Sequence, residues 1–110
     1  MIKRLVVVAL TISMVSAPAL AINSRDLYDF SKEYQGRTNA NFSSGYFLGY
    51  VAAVTDAMRT SLCVPDSANY GNTAQKVKEY LIEHPEISNQ DAFVPVYNVL
   101  QELYACPIKK

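Results

Sequence analysis

SSGYFLGYVAAVTDAMRTSL, residues 43–62, decides the fold. Tyr46, Phe47, Tyr50, Val51, Val54, Met58 and Leu62 recur every three or four residues, which is the stripe of a helix burying one side. Ser43 or Ser44 is placed to start it. Cys63 ends it, and Pro65 cannot continue it. Gly45 and Gly49 lie four apart, with Ala52, Ala53 and Ala57 beyond. Such small residues on one side let another helix come close. Asp56 and Arg59 on the polar side mark a helix that packs in water, not one that spans a membrane.

Three more stretches carry the helical period. Ser24 to about Tyr34 offers Leu27, Phe30 and Tyr34 as one apolar face, with Ser24 as N-cap and Asp26 in the first turn. Gln35 to Asn41 is polar, holds Gly36 and reads as a loop; Asn41-Phe42-Ser43 also matches a glycosylation sequon. Asp66 to Gly71 is a second loop. The third helix runs from about Thr73 to His84, capped by Asn72 with Gln75 three residues on, burying Val77, Tyr80 and Leu81 and stopped by Pro85. The fourth runs from Ser88 or Asp91 to Ala105 with Phe93, Val96, Tyr97, Leu100, Leu103 and Tyr104 inward. Pro95 falls inside that stripe, so the helix either begins late or is kinked there. No stretch alternates apolar and polar residues long enough to make a strand. The expected fold is all-α, a compact bundle of about four short helices.

Ahead of the bundle, Lys3 and Arg4 precede an apolar run from Leu5 to Val15, and Ala19-Leu20-Ala21 closes it with small residues. That is the layout of an export signal, too short to cross a bilayer as an anchor. Residues 1–21 are expected to be cleaved, leaving 22–110 as one helical domain in the periplasm with no membrane anchor. That remainder is about 45% apolar with a formal net charge near −2. Disorder is excluded by the apolar content. A nucleic-acid partner is excluded by the lack of a basic surface.

A domain this small is marginal without a staple. Cys63 and Cys106 are the only cysteines, and an exported chain meets an oxidising compartment. A Cys63–Cys106 bond would join the ends of helices two and four. It would close a loop of about 44 residues, worth roughly 4 kcal/mol by chain entropy.

Catalytic machinery is thin. His84 is the only histidine and sits at a helix end, where its charge suits the dipole and its ring can reach free carbonyls. No motif sets a nucleophile and an orienting acid beside it. No phosphate loop and no metal-ligand spacing is present, so no cofactor is expected. Eight tyrosines and no tryptophan are more informative. Tyrosine joins a large apolar face to one polar tip, which suits bundle edges, and a minority are expected at a partner interface. A binding module fits these residues better than an enzyme.

GYFLGYVAAVTDA (45–57), LCVP (62–65), GNTAQKVKEYLIEHPE (71–86) and NVLQELYACP (98–107) together resemble the Tai family of type VI secretion immunity proteins. The resemblance covers about 60 residues. It implies a periplasmic, mostly helical protein that binds a peptidoglycan amidase delivered by neighbouring cells, covers its active-site cleft and so protects the producing cell and its kin. It also implies a homodimer. The matched positions mostly describe scaffold, so the contact surface is read from chemistry. Glu83, Glu86, Ser88, Asn89, Gln90 and Asp91 form a polar, acidic segment between helices three and four, suited to fill a cleft that receives peptide groups. An alternative of another class is a periplasmic acid-stress chaperone of the HdeA type, equally small, exported, helical and held by one disulfide. Suppression of unrelated aggregation in acid separates the two. A small hydrolase is the weakest reading, since no catalytic set is present.

Overall fold

A computed structural model describes residues 21–36 and 41–108. The expected leader falls almost wholly on residues 1–20, outside the described residues. Four α-helices follow one another: α1 Ser24–Ser31, α2 Phe42–Ala57, α3 Tyr70–Glu83 and α4 Phe93–Tyr104, with a single 3-10 turn at Pro85–Ile87. Among the described residues the only β pairing is an isolated antiparallel bridge between Asn23 and Asp91. The all-α bundle therefore stands.

Each helix packs on each of the other three. Their stripes meet in one core of Leu27, Phe47, Val51, Val54, Val77, Leu81, Val96, Val99 and Leu100, all buried. Each such side chain contributes roughly 1.5–3 kcal/mol on leaving water. Cys63 and Cys106 are bonded, with Cα atoms 4.9 Å apart. The Cys63 N–H donates to the Tyr104 carbonyl at 2.9 Å, so the end of α4 is tied to the chain beyond α2 twice.

Three helix starts differ from the sequence expectation, all toward asparagine. Asn23, not Ser24, caps α1, in a reciprocal box with Asp26. Asn41 caps α2 by accepting the Ser44 N–H at 2.8 Å, so α2 begins at Phe42. Asn69 caps α3, and the expected cap Asn72 lies inside the helix, where its N–H donates to Asn69. Tyr70, expected in a loop, is therefore the first residue of α3. The ends are shorter than the stripes. α1 stops at Ser31, short of Tyr34, and α2 at Ala57, five residues before Leu62, whose chain continues in turns. Periodicity does not mark these ends because a turn can keep an apolar residue pointing inward. Pro95 lies buried in the first turn of α4, so the helix starts late and is not kinked.

One expectation fails. Gly45 and Gly49 are exposed, and a Cβ built on either meets nothing within 4 Å. No described helix packs against the small face of α2, which turns outward.

Four of the tyrosines fasten the helices to one another. Tyr34 is buried and its hydroxyl donates to the Gly71 carbonyl at 3.2 Å. The Tyr104 and Thr73 hydroxyls share a bond at 2.9 Å. Tyr80 accepts from Asn98 at 3.0 Å, joining α3 to α4. Tyr70 donates to Asp56 and accepts from Arg59, joining α3 to the end of α2.

Candidate docking surface

The segment between α3 and α4 is built by proline. Pro85 cannot extend α3, so the helix ends at Glu83 and the chain turns at His84. Pro85–Ile87 then makes one 3-10 turn, and buried Ile87 anchors it. The Ser88 hydroxyl donates back to the Pro85 carbonyl at 2.7 Å. The Gln90 N–H donates to the Ile87 carbonyl at 2.9 Å. Buried Ala92 leads into α4.

The far side of this turn is strapped to the start of α1. The Ser24 N–H donates to the Gln90 carbonyl at 2.7 Å, the Arg25 N–H to Ser88 at 3.1 Å, and the Ala92 N–H to Ile22 at 3.0 Å. The segment between helices three and four is thus a braced edge, held to the start of α1 by three backbone bonds. Its fixed backbone lowers the ordering cost of any contact it makes.

The six candidate contact residues do not share one fate. Glu83, Glu86, Asn89, Gln90 and Asp91 have exposed side chains. Ser88 is half-buried with its hydroxyl already committed, so its part is to shape the turn. Glu86 is held by the His84 ring at 2.8 Å, and that bond is the main cause keeping its carboxyl below the usual range. His84 in turn packs against Tyr80 in a tilted ring pair with centroids 4.2 Å apart. Its ring thus positions Glu86, instead of reaching the α3 carbonyls as its place at the helix end had indicated. Burial raises the pKa of Tyr50 on α2, with smaller contributions from Tyr46 and then from Asp91.

Two hollows open on the α3 surface, and the second borders the turn. One, of about 210 Å³, runs between α3 and α4 and carries Glu79, Glu83 and Glu102 against a single Lys76 over Val99 and Leu103. The other, of about 140 Å³, lies between α1, α3 and the 3-10 turn, walled by Tyr28, Leu81, Ile82, Pro85 and Ile87. Both fall below the roughly 300–1,000 Å³ of small-molecule sites and suit single side chains of a protein. Ile82, at 57% exposure, stands beside the second hollow. Ile82 lies off the Val77–Leu81 stripe, and that position is the sequence signal of an apolar side chain facing outward.

Among the described residues no acidic, histidine or cysteine group is arranged to hold a metal. No described helix is long and apolar enough to cross a membrane. His84 faces Tyr80 and Glu86, and the Ser88 hydroxyl faces a carbonyl, so the two do not form a nucleophile–base pair. What the surface presents is a rigid acidic and amide-bearing edge with an apolar residue at its side.

A family model described as Rap1a immunity proteins matches residues 23–106. No curated protein and no solved structure matches the chain.

Proposed function

The chain belongs to the Rap1a immunity proteins, and on that premise we propose that it is a periplasmic immunity protein against a type VI secreted peptidoglycan amidase. It binds the amidase, occludes the active-site cleft and so protects the producing cell and its kin. The family match carries this reading. The Tai-like segments from Gly45 to Pro107 support the amidase as target. The leader-like residues 1–21, together with a disulfide, support export to the periplasm. An immunity protein acts by binding, so the chain works as an inhibitor and not as a catalyst.

The braced edge from Glu83 to Asp91 is the surface assigned to the cleft. Glu86, Asn89 and Gln90 offer a carboxylate and two amides on a backbone that is already ordered, and a groove that receives peptide groups is complementary to them. The open face of α2 is assigned to a second copy. That helix is apolar nearly all round, with Phe47, Val51 and Val54 buried and Gly45, Gly49 and Ala53 exposed. A helix apolar on every side normally has neighbours on every side.

The test uses the amidase encoded beside this chain's gene, with release of peptide from purified peptidoglycan as readout. The processed chain is expected to block that release stoichiometrically. Combined substitution of Glu86, Asn89 and Gln90 by alanine is expected to weaken inhibition about tenfold or more, equal to about 1.4 kcal/mol. Full activity of the amidase beside saturating chain sinks the proposal. So does suppression of unrelated protein aggregation in acid by a chain that ignores the amidase, which is the chaperone's behaviour.

A further inference from the structure

We propose that Ser24 is a positioning residue for the inhibitory edge, so that the first residues of α1 belong to the inhibitory apparatus. The inference rests on the Glu83–Asp91 edge being the surface that enters the amidase.

Ser24 is the first residue of α1 and is 1% exposed. A serine at a helix start ordinarily serves as the cap. Here it does not, because Asn23 accepts the Asp26 N–H and Asp26 accepts the Asn23 N–H, which completes the box without it. The Ser24 hydroxyl is free for another use. It donates to the Gln90 carbonyl at 2.9 Å, with the Asp91 carbonyl 3.2 Å away as the other acceptor. One hydroxyl hydrogen is shared between two carbonyls of the edge, 66 and 67 residues along the chain.

The local helix has no need of this hydroxyl. Alanine has the better helix propensity at a position already inside a capped helix. The group is instead buried against the backbone that carries Gln90 and Asp91, beside the Ser24 N–H bond to the same Gln90 carbonyl. Without it the Gln90 carbonyl keeps only the Ser24 N–H at 2.7 Å and the Asp91 carbonyl only the Val94 N–H at 3.0 Å, so each loses one of its two donors and the Gln90–Asp91 peptide is held less firmly. Asn89 and Gln90 are then aimed less sharply, and binding has to supply part of the ordering.

The experiment measures inhibition of the neighbouring amidase by four forms of the processed chain: unaltered, Ser24→Ala, the triple alanine variant of Glu86, Asn89 and Gln90, and the combination. Ser24→Ala is expected to raise the inhibition constant about tenfold while shifting the melting temperature by only a few degrees. Its amide hydrogens at Ser24 and Arg25 should exchange faster, while those of Val51 and Val77 in the core do not. In the triple background Ser24→Ala should change inhibition less than about twofold, because the groups it aims are gone. The assignment is overturned if Ser24→Ala inhibits like the unaltered chain, or if it costs the same factor in both backgrounds, which marks a general loss of stability. If the triple variant itself inhibits fully, the edge is not the inhibitory surface, and the reading beneath falls together with the role of Ser24.

Discussion

Tyr34 closes on Gly71. The phenol hydroxyl donates to the Gly71 carbonyl at 3.2 Å, bridging 37 residues and pinning the chain after α1 to the first turn of α3. Lys78 adds a bond from its ammonium to the Tyr34 carbonyl at 2.7 Å. The approach depends on the missing side chain. A Cβ on residue 71 would lie 3.0 Å from Asn69 Oδ1 and 3.3 Å from the Tyr34 hydroxyl. It would crowd the α3 cap and the Tyr34 bond together. Gly71→Ala is therefore expected to destabilise the domain by about 1 kcal/mol, although alanine is the better helix former by about as much. Tyr34→Phe is expected to lose a similar amount through the hydrogen bond alone. Thermal melting decides, since 1 kcal/mol moves the midpoint by about 4–8 °C in a domain of this size. A rise in midpoint for Gly71→Ala would show that the crowding is absorbed.

Asn69 and Asn72 make a paired test of where α3 begins. Asn69 accepts the Asn72 N–H at 3.1 Å, and the Asn72 side chain caps nothing. Asn69→Ala should cost about 1 kcal/mol, whereas Asn72→Ala should be neutral or gain a few tenths, since alanine is the better helix former at a position inside the helix. Denaturant midpoints of the two variants measure the difference. The reverse order would put the helix start where the residue pattern Asn72–Gln75 had indicated.

Reduction of Cys63–Cys106 should proceed without unfolding, because both residues are exposed. The bond closes 43 residues of chain, and its loss is expected to lower stability by roughly 3–4 kcal/mol. Urea titration with and without a reducing agent measures this. The hydrogen bond from Cys63 to the Tyr104 carbonyl should persist, so the reduced protein is expected to keep its helical circular dichroism at low denaturant.

Acid acts through Asp56. Hydrogen bonding from Tyr70, then from Arg59 together with its charge, holds the Asp56 carboxyl below its ordinary 3.8. A carboxyl depressed in the folded state binds protons more readily when unfolded. Its contribution is complete above the unfolded value and is lost as the pH falls through the folded one. Asp56→Asn is therefore expected to be less stable than the unaltered chain near neutral pH and to converge with it as the pH falls through the depressed value of the folded carboxyl. Glu86, held low chiefly by His84, should follow the same course from a starting value nearer 4.5. Urea midpoints at stepped pH check both, and a gap that stays constant down to acid would remove the ion-pair explanation.

Much of the bundle was legible because its signals are local. The stripes through Leu27, Phe47, Val77 and Leu100 each lie within one helix, and the same side chains meet in the core. The starts were harder. Asn23 beside Ser24, Asn41 near Ser43, and Asn69 near Asn72 are chemically equivalent caps one to three residues apart. A difference so small locally is decided by which start lets the buried stripe dock. The polar, acidic character of the Glu83–Asp91 segment was legible in composition but its shape was not, since Ser88 looks like its neighbours until its hydroxyl is seen to close on Pro85.

By itself the order of residues settled how many helices form, most of the side that turns inward, and which two sulfurs join, because periodicity, prolines and a single cysteine pair leave few choices; in α4 the stripe misplaced Phe93 and Leu103, which stand exposed, and missed buried Val99. Tertiary structure alone decided that Asn23 would cap α1 while Ser24 reached Gln90, and that the small face of α2 would stand open. Contacts across some 66 positions depend on how whole helices pack, and no local pattern encodes that distance.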